Sequence, residues 1–206
     1  MHRRDLTKHM IKLYHHPKTR SLRVLWLLEE LGLAYSLETP ELRLPEEGDI
    51  FAQATPTGRF PTIEDGPITM CESGAIVEYL IEHYGGGHFA PSKNSPLRAK
   101  YLQWVHYPEA TISPYLAAIH RFGTAMPEKI AIMKKEFDIV IGFVDQALGE
   151  SQYLVGESFT GADIMVAVSL LSANMLGLLN DRYKNISAYL QRLQSRPVLD
   201  KILSQK

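Results

Sequence analysis

Three consecutive glycines, Gly85-Gly86-Gly87, divide a front in which strand and helix patterns alternate from a rear that carries helical patterns only. They open a stretch, residues 85–96, that holds three Gly, two Pro, two Ser, a Lys and an Asn. That composition closes one packed unit before the next begins. A chain of 206 residues has room for two such units, of roughly 80 and 120 residues. The pattern predicts a front domain over 10–84, a linker over 85–95 and a rear domain over 96–206.

In the front, residues 10–14, Met-Ile-Lys-Leu-Tyr, alternate in character and predict a strand. A loop follows, His15-His16-Pro17-Lys18-Thr19. Ser21 to Leu31 places apolar residues at helical spacing, and Gly32 stops the helix. Ala34 to Glu38 reads as a second short strand, which makes a right-handed parallel β–α–β unit if both strands share a sheet. Residues 39–59 read as irregular, apart from a short helix near 47–54. Phe60 to Gly66 starts another strand, Asp65-Gly66 is a hairpin turn, and Ile68-Thr69-Met70 returns. A helix over Glu72–Tyr84 ends the front. In the rear, helices are predicted over 96–122, 127–149, 161–178, 183–194 and 197–204, with Pro108 and Pro114 bending or breaking the first. Residues 1–9 read as a polar lead-in, and Met10 stands as an alternative start.

A net charge of −1 supplies no overall field for nucleic acid or acidic membranes, so neither partner is expected. No run approaches the roughly 18 apolar residues of a membrane span, and no apolar signal-peptide core follows the basic start. Cys71 is the only cysteine, which rules out an internal disulfide and a Cys-x-x-Cys pair and points to a reducing, cytoplasmic setting. Beside Glu72 it is expected to pack as a small hydrophobe. The eight histidines place no His-x-x-x-His pair on a helical stretch, so no metal is expected.

Three local sequences carry a resemblance. The helix from Ser21 to Gly32, Ser-Leu-Arg-Val-Leu-Trp-Leu-Leu-Glu-Glu-Leu-Gly, resembles the first helix of glutathione transferases. Thr55-Pro56-Thr57-Gly58-Arg59-Phe60-Pro61 is similar to their Asn-Pro-x-Gly-x-apolar-Pro loop, and Glu72-Ser73-Gly74-Ala75-Ile76 to their Glu-Ser-x-Ala-Ile helix start. Each motif alone is weak; three in the right order and spacing are strong. The similarity is greatest to bacterial and fungal members with a Ser-Arg-x-x-Arg helix start, where this chain reads Thr19-Arg20-Ser21-Leu22-Arg23. Two positions depart from the pattern. Thr55 replaces the usual Asn, and which residue serves as the Tyr, Ser or Cys expected near the end of the first strand is not obvious. The resemblance implies an α/β thioredoxin-like N-terminal domain that binds glutathione, followed by an all-α helical-bundle C-terminal domain.

Glutathione is an extended anion with two carboxylates, an ammonium and a thiol. By the resemblance, Phe60 before a cis Pro61 pairs its backbone with the cysteinyl residue; a trans proline opening an edge strand is the plainer reading. Ser73 at a helix start takes the γ-glutamyl carboxylate and Glu72 the ammonium, against a simple helix cap. Arg59 reaches the glycyl carboxylate, with Arg43 a second candidate and a solvated arginine the alternative. A hydroxyl that stabilises the thiolate stays open between Thr19 before the helix, Ser21 two residues on and Tyr14 at the strand end.

In the rear, Thr160 and Asp163 have capping-box spacing, a structural feature. The electrophile pocket is expected between the domains, lined by His106, Tyr107, Ile112 and Tyr115, which otherwise serve as core. Met175 and Leu176 either close that pocket or fill the core. The resemblance implies conjugation of glutathione to small electrophiles, in detoxification, by a cytoplasmic homodimer with glutathione as co-substrate and no resident cofactor. Two alternatives remain: glutathione-dependent reduction of disulfides or peroxides, and a non-catalytic binding or regulatory relative.

Overall fold

The structure, a computed structural model, describes residues 10–40, Thr55 and residues 58–204. The chain divides into two compact units, one ending at Gly85 and joined by the residues from Lys201 on, the other spanning Gly86–Asp200. The helix predicted near 47–54 and the candidate Arg43 lie outside the described residues.

The front unit orders β1 (Ile11–Tyr14), α1 (Ser21–Glu30), β2 (Tyr35–Glu38), β3 (Thr62–Asp65), β4 (Ile68–Cys71) and α2 (Ser73–Tyr84). The sheet runs β2-β1-β3-β4. β1 and β2 are parallel, from Ile11 opposite Tyr35 to Tyr14 opposite Glu38, as a β–α–β unit requires. β3 runs antiparallel to β1 and turns into β4 at Gly66, whose φ of +59° suits glycine. Alternation buries Ile11 and Leu13, and the following residue, Tyr14, is buried against Phe60. α1 contributes Val24, Leu25, Trp26, Leu27 and Leu28 to the core, and packs against the buried face of α2, Ile76, Val77, Leu80 and Ile81. Cys71 differs from its expected packing: it is exposed at the end of β4, which among the described residues pairs with β3 alone.

In the rear unit, α3 (Arg98–Tyr107) passes through a π-helical turn (Pro108–Ile112) into α4 (Ser113–Phe122). Of the predicted bend or break at the prolines, the break does not occur. A proline has no N–H to offer the preceding turn, and here the chain widens instead, with Ser113 N–H reaching back five residues to Pro108 O. α5 (Pro127–Leu148), α6 (Gly161–Met175) and α7 (Lys184–Gln194) follow, and α8 (Pro197–Ser204) starts in this unit and runs into the residues from Lys201 on that group with the front one. Every residue of α6 from Gly161 to Leu170 is buried, as an apolar helix without a polar face must be. α3 packs on α6, α4 on α5 and α5 on α7. α6 stops short of residue 178, because Gly177 turns left-handed at φ +65° and Leu178 N–H closes on Ala173 O. Met175 is 65% exposed and fills no core.

The start of α6 is pinned by Asp163. Its Oδ2 accepts the Thr160 N–H at 2.8 Å and hydroxyl at 2.9 Å, while Oδ1 accepts Leu154 N–H and the Tyr189 hydroxyl, each at 3.0 Å. Asp163 is fully buried, so these bonds replace the water it gives up.

Candidate active site

β1 delivers the chain into a tight loop before α1. Lys18 takes the left-handed conformation at φ +62°, which turns the loop back onto the helix start. Ser21, the first residue of α1, is fully buried and ties the loop together. Its Oγ lies 2.8 Å from His15 Nδ1 and 2.7 Å from Thr19 Oγ1, and accepts His16 N–H at 3.2 Å. Thr19 is half-buried; its hydroxyl donates to His16 O at 2.7 Å and accepts Ser21 N–H at 3.3 Å. Tyr14 lies on the strand with its hydroxyl donating to Glu64 Oε1 at 2.6 Å. Burial, reinforced by this carboxylate, pushes the Tyr14 phenol well above its ordinary range. Glu64 is held low by the Tyr14 bond and by Lys12 at 3.0 Å.

The second element is the approach to β3. Gly58, at φ +60°, gives its N–H to the buried Thr55 carbonyl at 2.8 Å. The Phe60–Pro61 peptide is cis. Phe60 is buried, and its ring lies 5.8 Å from the His16 ring, so the cis-proline turn and the β1–α1 loop meet. Arg59 is exposed.

The third element is the start of α2. Glu72, exposed, holds φ +73°, a conformation that costs a non-glycine residue energy and recurs where function needs a particular backbone direction. Ser73 is buried and accepts a hydrogen bond from Arg23 Nη1 at 2.9 Å, so its own proton is available to another acceptor. Arg23 has no role legible in the sequence. It belongs to the Thr19-Arg20-Ser21-Leu22-Arg23 motif, yet a guanidinium among apolar neighbours reads as solvated unless its partner is known; here it is 1% exposed.

Thr19, Ser21, Tyr14, Phe60 and Pro61 thus lie around one loop crossing, while Ser73, next to Glu72, is joined to α1 through Arg23. In the rear unit, Tyr107 donates to Val140 O at 3.1 Å and its ring packs edge-on to Trp104. Ile112 is fully buried, Tyr115 lies edge-on to Phe137, and His106 is exposed. No group of three or more His, Cys, Asp or Glu among the described residues is placed to hold a metal ion. Among them, no helix is long and apolar enough to cross a membrane.

Two family profiles match this chain: "Glutathione S-transferase, N-terminal domain" over residues 9–82 and "Glutathione S-transferase, C-terminal domain" over 110–197. The chain belongs to the glutathione S-transferase family. Glutathione S-transferase 3 of Schizosaccharomyces pombe is 28% identical over 91% of this chain and 84% of its own length. Disulfide-bond oxidoreductase YfcG of Escherichia coli is 27% identical, over 94% of each chain. The crystal structure of Ure2p5 from Phanerochaete chrysosporium, cocrystallized with 1-(S-glutathionyl)-2,4-dinitrobenzene, superposes with a TM-score of 0.80. It is 25% identical and covers 94% of this chain and 93% of its own. In this glutathione S-transferase the thioredoxin-like front carries the loop crossing and the helical rear carries the buried α6.

Proposed function

We propose that this glutathione S-transferase holds glutathione against the cis Phe60–Pro61 turn and the α2 start, stabilises its thiolate with the Thr19 hydroxyl, and conjugates it to small electrophiles. The observation that carries the choice of Thr19 is how the three candidate hydroxyls are used. Ser21 is fully buried and Tyr14 gives its proton to a carboxylate, Glu64, whereas Thr19 sits half-buried at the N-terminal end of α1 and gives its proton to a neutral carbonyl, His16 O, a weaker competitor for a thiolate. The positive end of the α1 dipole also favours an anion there. In the reaction the thiolate sulfur bonds to the electrophilic carbon, and the electron pair displaced from that carbon leaves with its departing or accepting group. Thr19 supplies charge stabilisation and the site supplies placement. Glu72 pairs with the glutathione ammonium, Ser73 takes the γ-glutamyl carboxylate and Arg59 the glycyl carboxylate. His106, Tyr107, Ile112 and Tyr115 are proposed for the electrophile side.

Thr19→Ala tests the assignment. A charge-assisted hydrogen bond is worth about 1.5–3 kcal/mol, or roughly 10- to 150-fold in rate if fully expressed. The ultraviolet absorbance of the bound thiolate, titrated against pH, is expected to show a raised thiol pKa, with glutathione affinity changed much less. If Thr19→Ala is silent while Ser21→Ala or Tyr14→Phe shifts both pKa and rate, the role belongs to that residue. If all three are silent, backbone N–H groups stabilise the thiolate.

Reduction of disulfides is a second reading, favoured by the relative named a disulfide-bond oxidoreductase. It needs the same thiolate and a second glutathione, since Cys71 stands exposed at the end of β4. Parallel assays with electrophiles, disulfides and peroxides, with and without glutathione, separate the two. The protein is further proposed to work in the cytoplasm as a homodimer. Light scattering giving 23.3 kDa rather than twice that would contradict the dimer.

A further inference from the structure

We infer that His15 is a positioning residue: its Nδ1–H, donated to Ser21, orders the Ser21 and Thr19 hydroxyls so that the Thr19 proton is delivered to the glutathione sulfur. The inference rests on the proposed role of Thr19.

A hydroxyl has one proton and two lone pairs, and that limit decides the direction of the chain. One lone pair of Ser21 Oγ is taken by His16 N–H at 3.2 Å. Three groups remain around it: His15 Nδ1 at 2.8 Å, Thr19 Oγ1 at 2.7 Å and His16 O at 3.2 Å.

If Nδ1 carries no proton, Ser21 donates to it. The second Ser21 lone pair is then open to Thr19, and the Thr19 proton can be absorbed inside the loop. If Nδ1 carries the proton, both Ser21 lone pairs are filled. Ser21 then donates to Thr19, the shorter of its two remaining contacts. Thr19 Oγ1 in turn accepts from Ser21 Oγ and from Ser21 N–H at 3.3 Å, so it cannot give its proton back to Ser21. The proton goes to His16 O at 2.7 Å until a thiolate, a stronger acceptor, draws it outward. Donation along such a chain also strengthens each bond in it.

The surroundings of His15 fit this role. The residue is 8% exposed, and its backbone N–H is fixed on Glu38 O at 2.8 Å, which anchors the ring over the helix start. Burial, with His16 adjacent, holds the imidazole below its ordinary range, so at neutral pH it carries one ring proton. Nε2 makes no hydrogen bond with another described residue, which leaves Nδ1 as the nitrogen whose protonation Ser21 senses.

Nitrogen NMR on the unmutated protein with glutathione bound reads the tautomer directly. The expected state is neutral His15 with the proton on Nδ1; a bare Nδ1 overturns the inference. Two variants give the functional reading. His15→Phe keeps a ring and removes the donor, whereas the side-chain amide of His15→Asn can place an N–H where Nδ1 was. His15→Phe is expected to raise the bound thiol pKa and lower kcat about 3- to 10-fold, the effect of one net hydrogen bond, with the KM for glutathione little changed. His15→Asn is expected to recover most of the loss, and His15→Phe to add less than about twofold in a Thr19→Ala background. A His15→Phe enzyme with unchanged thiol pKa, or one that loses as much again without Thr19, overturns the inference. If His15→Phe does not fold, the tautomer and His15→Asn decide. If Thr19→Ala itself is silent, the Thr19 assignment fails; if Thr19→Ala shifts the thiol pKa and His15→Phe does not, only His15 falls.

Discussion

A guanidinium stays charged at any pH a protein meets, so the burial of Arg23 at 1% exposure needs an acceptor, and Ser73 is one. The bond fixes the Ser73 oxygen and leaves its proton to give. Arg23→Met keeps the stem and removes the fork. It is expected to weaken glutathione binding about 2- to 10-fold, the worth of one ordered hydrogen bond, and Arg23→Lys to restore only part of it because a point charge does not reproduce the planar fork. Calorimetric titration of the two variants checks this. Arg23 shows what a sequence hides at this scale. Its motif was visible and its identity plain, but burial depends on where α2 begins in space, and nothing local to residues 19–23 reports that. The left-handed Glu72 was hidden for the same reason: a glutamate gives no sign of a φ of +73°. Cys71 is exposed rather than packed because β4 lies at the edge of the described sheet, which its neighbours in sequence do not report.

At the level of elements, the ends marked by backbone chemistry were legible. α5 starts at Pro127 and stops before Gly149, and α6 starts after Thr160 at a capping box. The π turn was not legible, because a proline announces a missing N–H without saying whether the helix breaks or widens around it. Asp163 is the element-scale residue with the largest predicted effect. Asp163→Ala leaves the Leu154 and Thr160 N–H groups and the buried Thr160 hydroxyl without this acceptor, and the Tyr189 hydroxyl with only the residue 163 carbonyl at 3.4 Å. At about 1–3 kcal/mol for each such group, the loss is expected to reach at least about 3 kcal/mol. Denaturant unfolding followed by far-ultraviolet circular dichroism measures it; a change under about 1 kcal/mol would show that the carboxylate does not hold the α6 start.

Across the whole molecule, tyrosines are tied to carboxylates. Seven of the ten, Tyr14, Tyr35, Tyr79, Tyr84, Tyr107, Tyr183 and Tyr189, are pushed above the ordinary phenol range, in each case chiefly by burial. For all but Tyr107 a hydrogen-bonded carboxylate adds to the shift, and Tyr79, bonded to Asp65, reaches about 12. A phenol raised in the folded state contributes stability that is fully present below its unfolded pKa of about 10 and is lost as pH rises through the folded value. Stability is therefore expected to fall steeply above about pH 10, and the folded protein to develop well under half the tyrosinate absorbance of the unfolded chain at about pH 10.5. Equal absorbance from folded and unfolded protein would contradict the burial of these phenols.

The two-unit plan was readable because three front motifs keep their order and a helical rear follows them, and family membership carries both halves. What the motifs left open was the hydroxyl that meets the thiol, since Tyr14, Thr19 and Ser21 differ in burial and partners rather than in sequence signal. The central claim is that the front unit binds glutathione through the cis-proline turn and the α2 start. Calorimetric titration of the ligand-stripped protein with glutathione tests it most directly. The account predicts one site per chain with a Kd between micromolar and millimolar, about 4–8 kcal/mol, weakened by Ser73→Ala. No heat, and no chemical-shift change at about ten millimolar glutathione, well above that range, would contradict it.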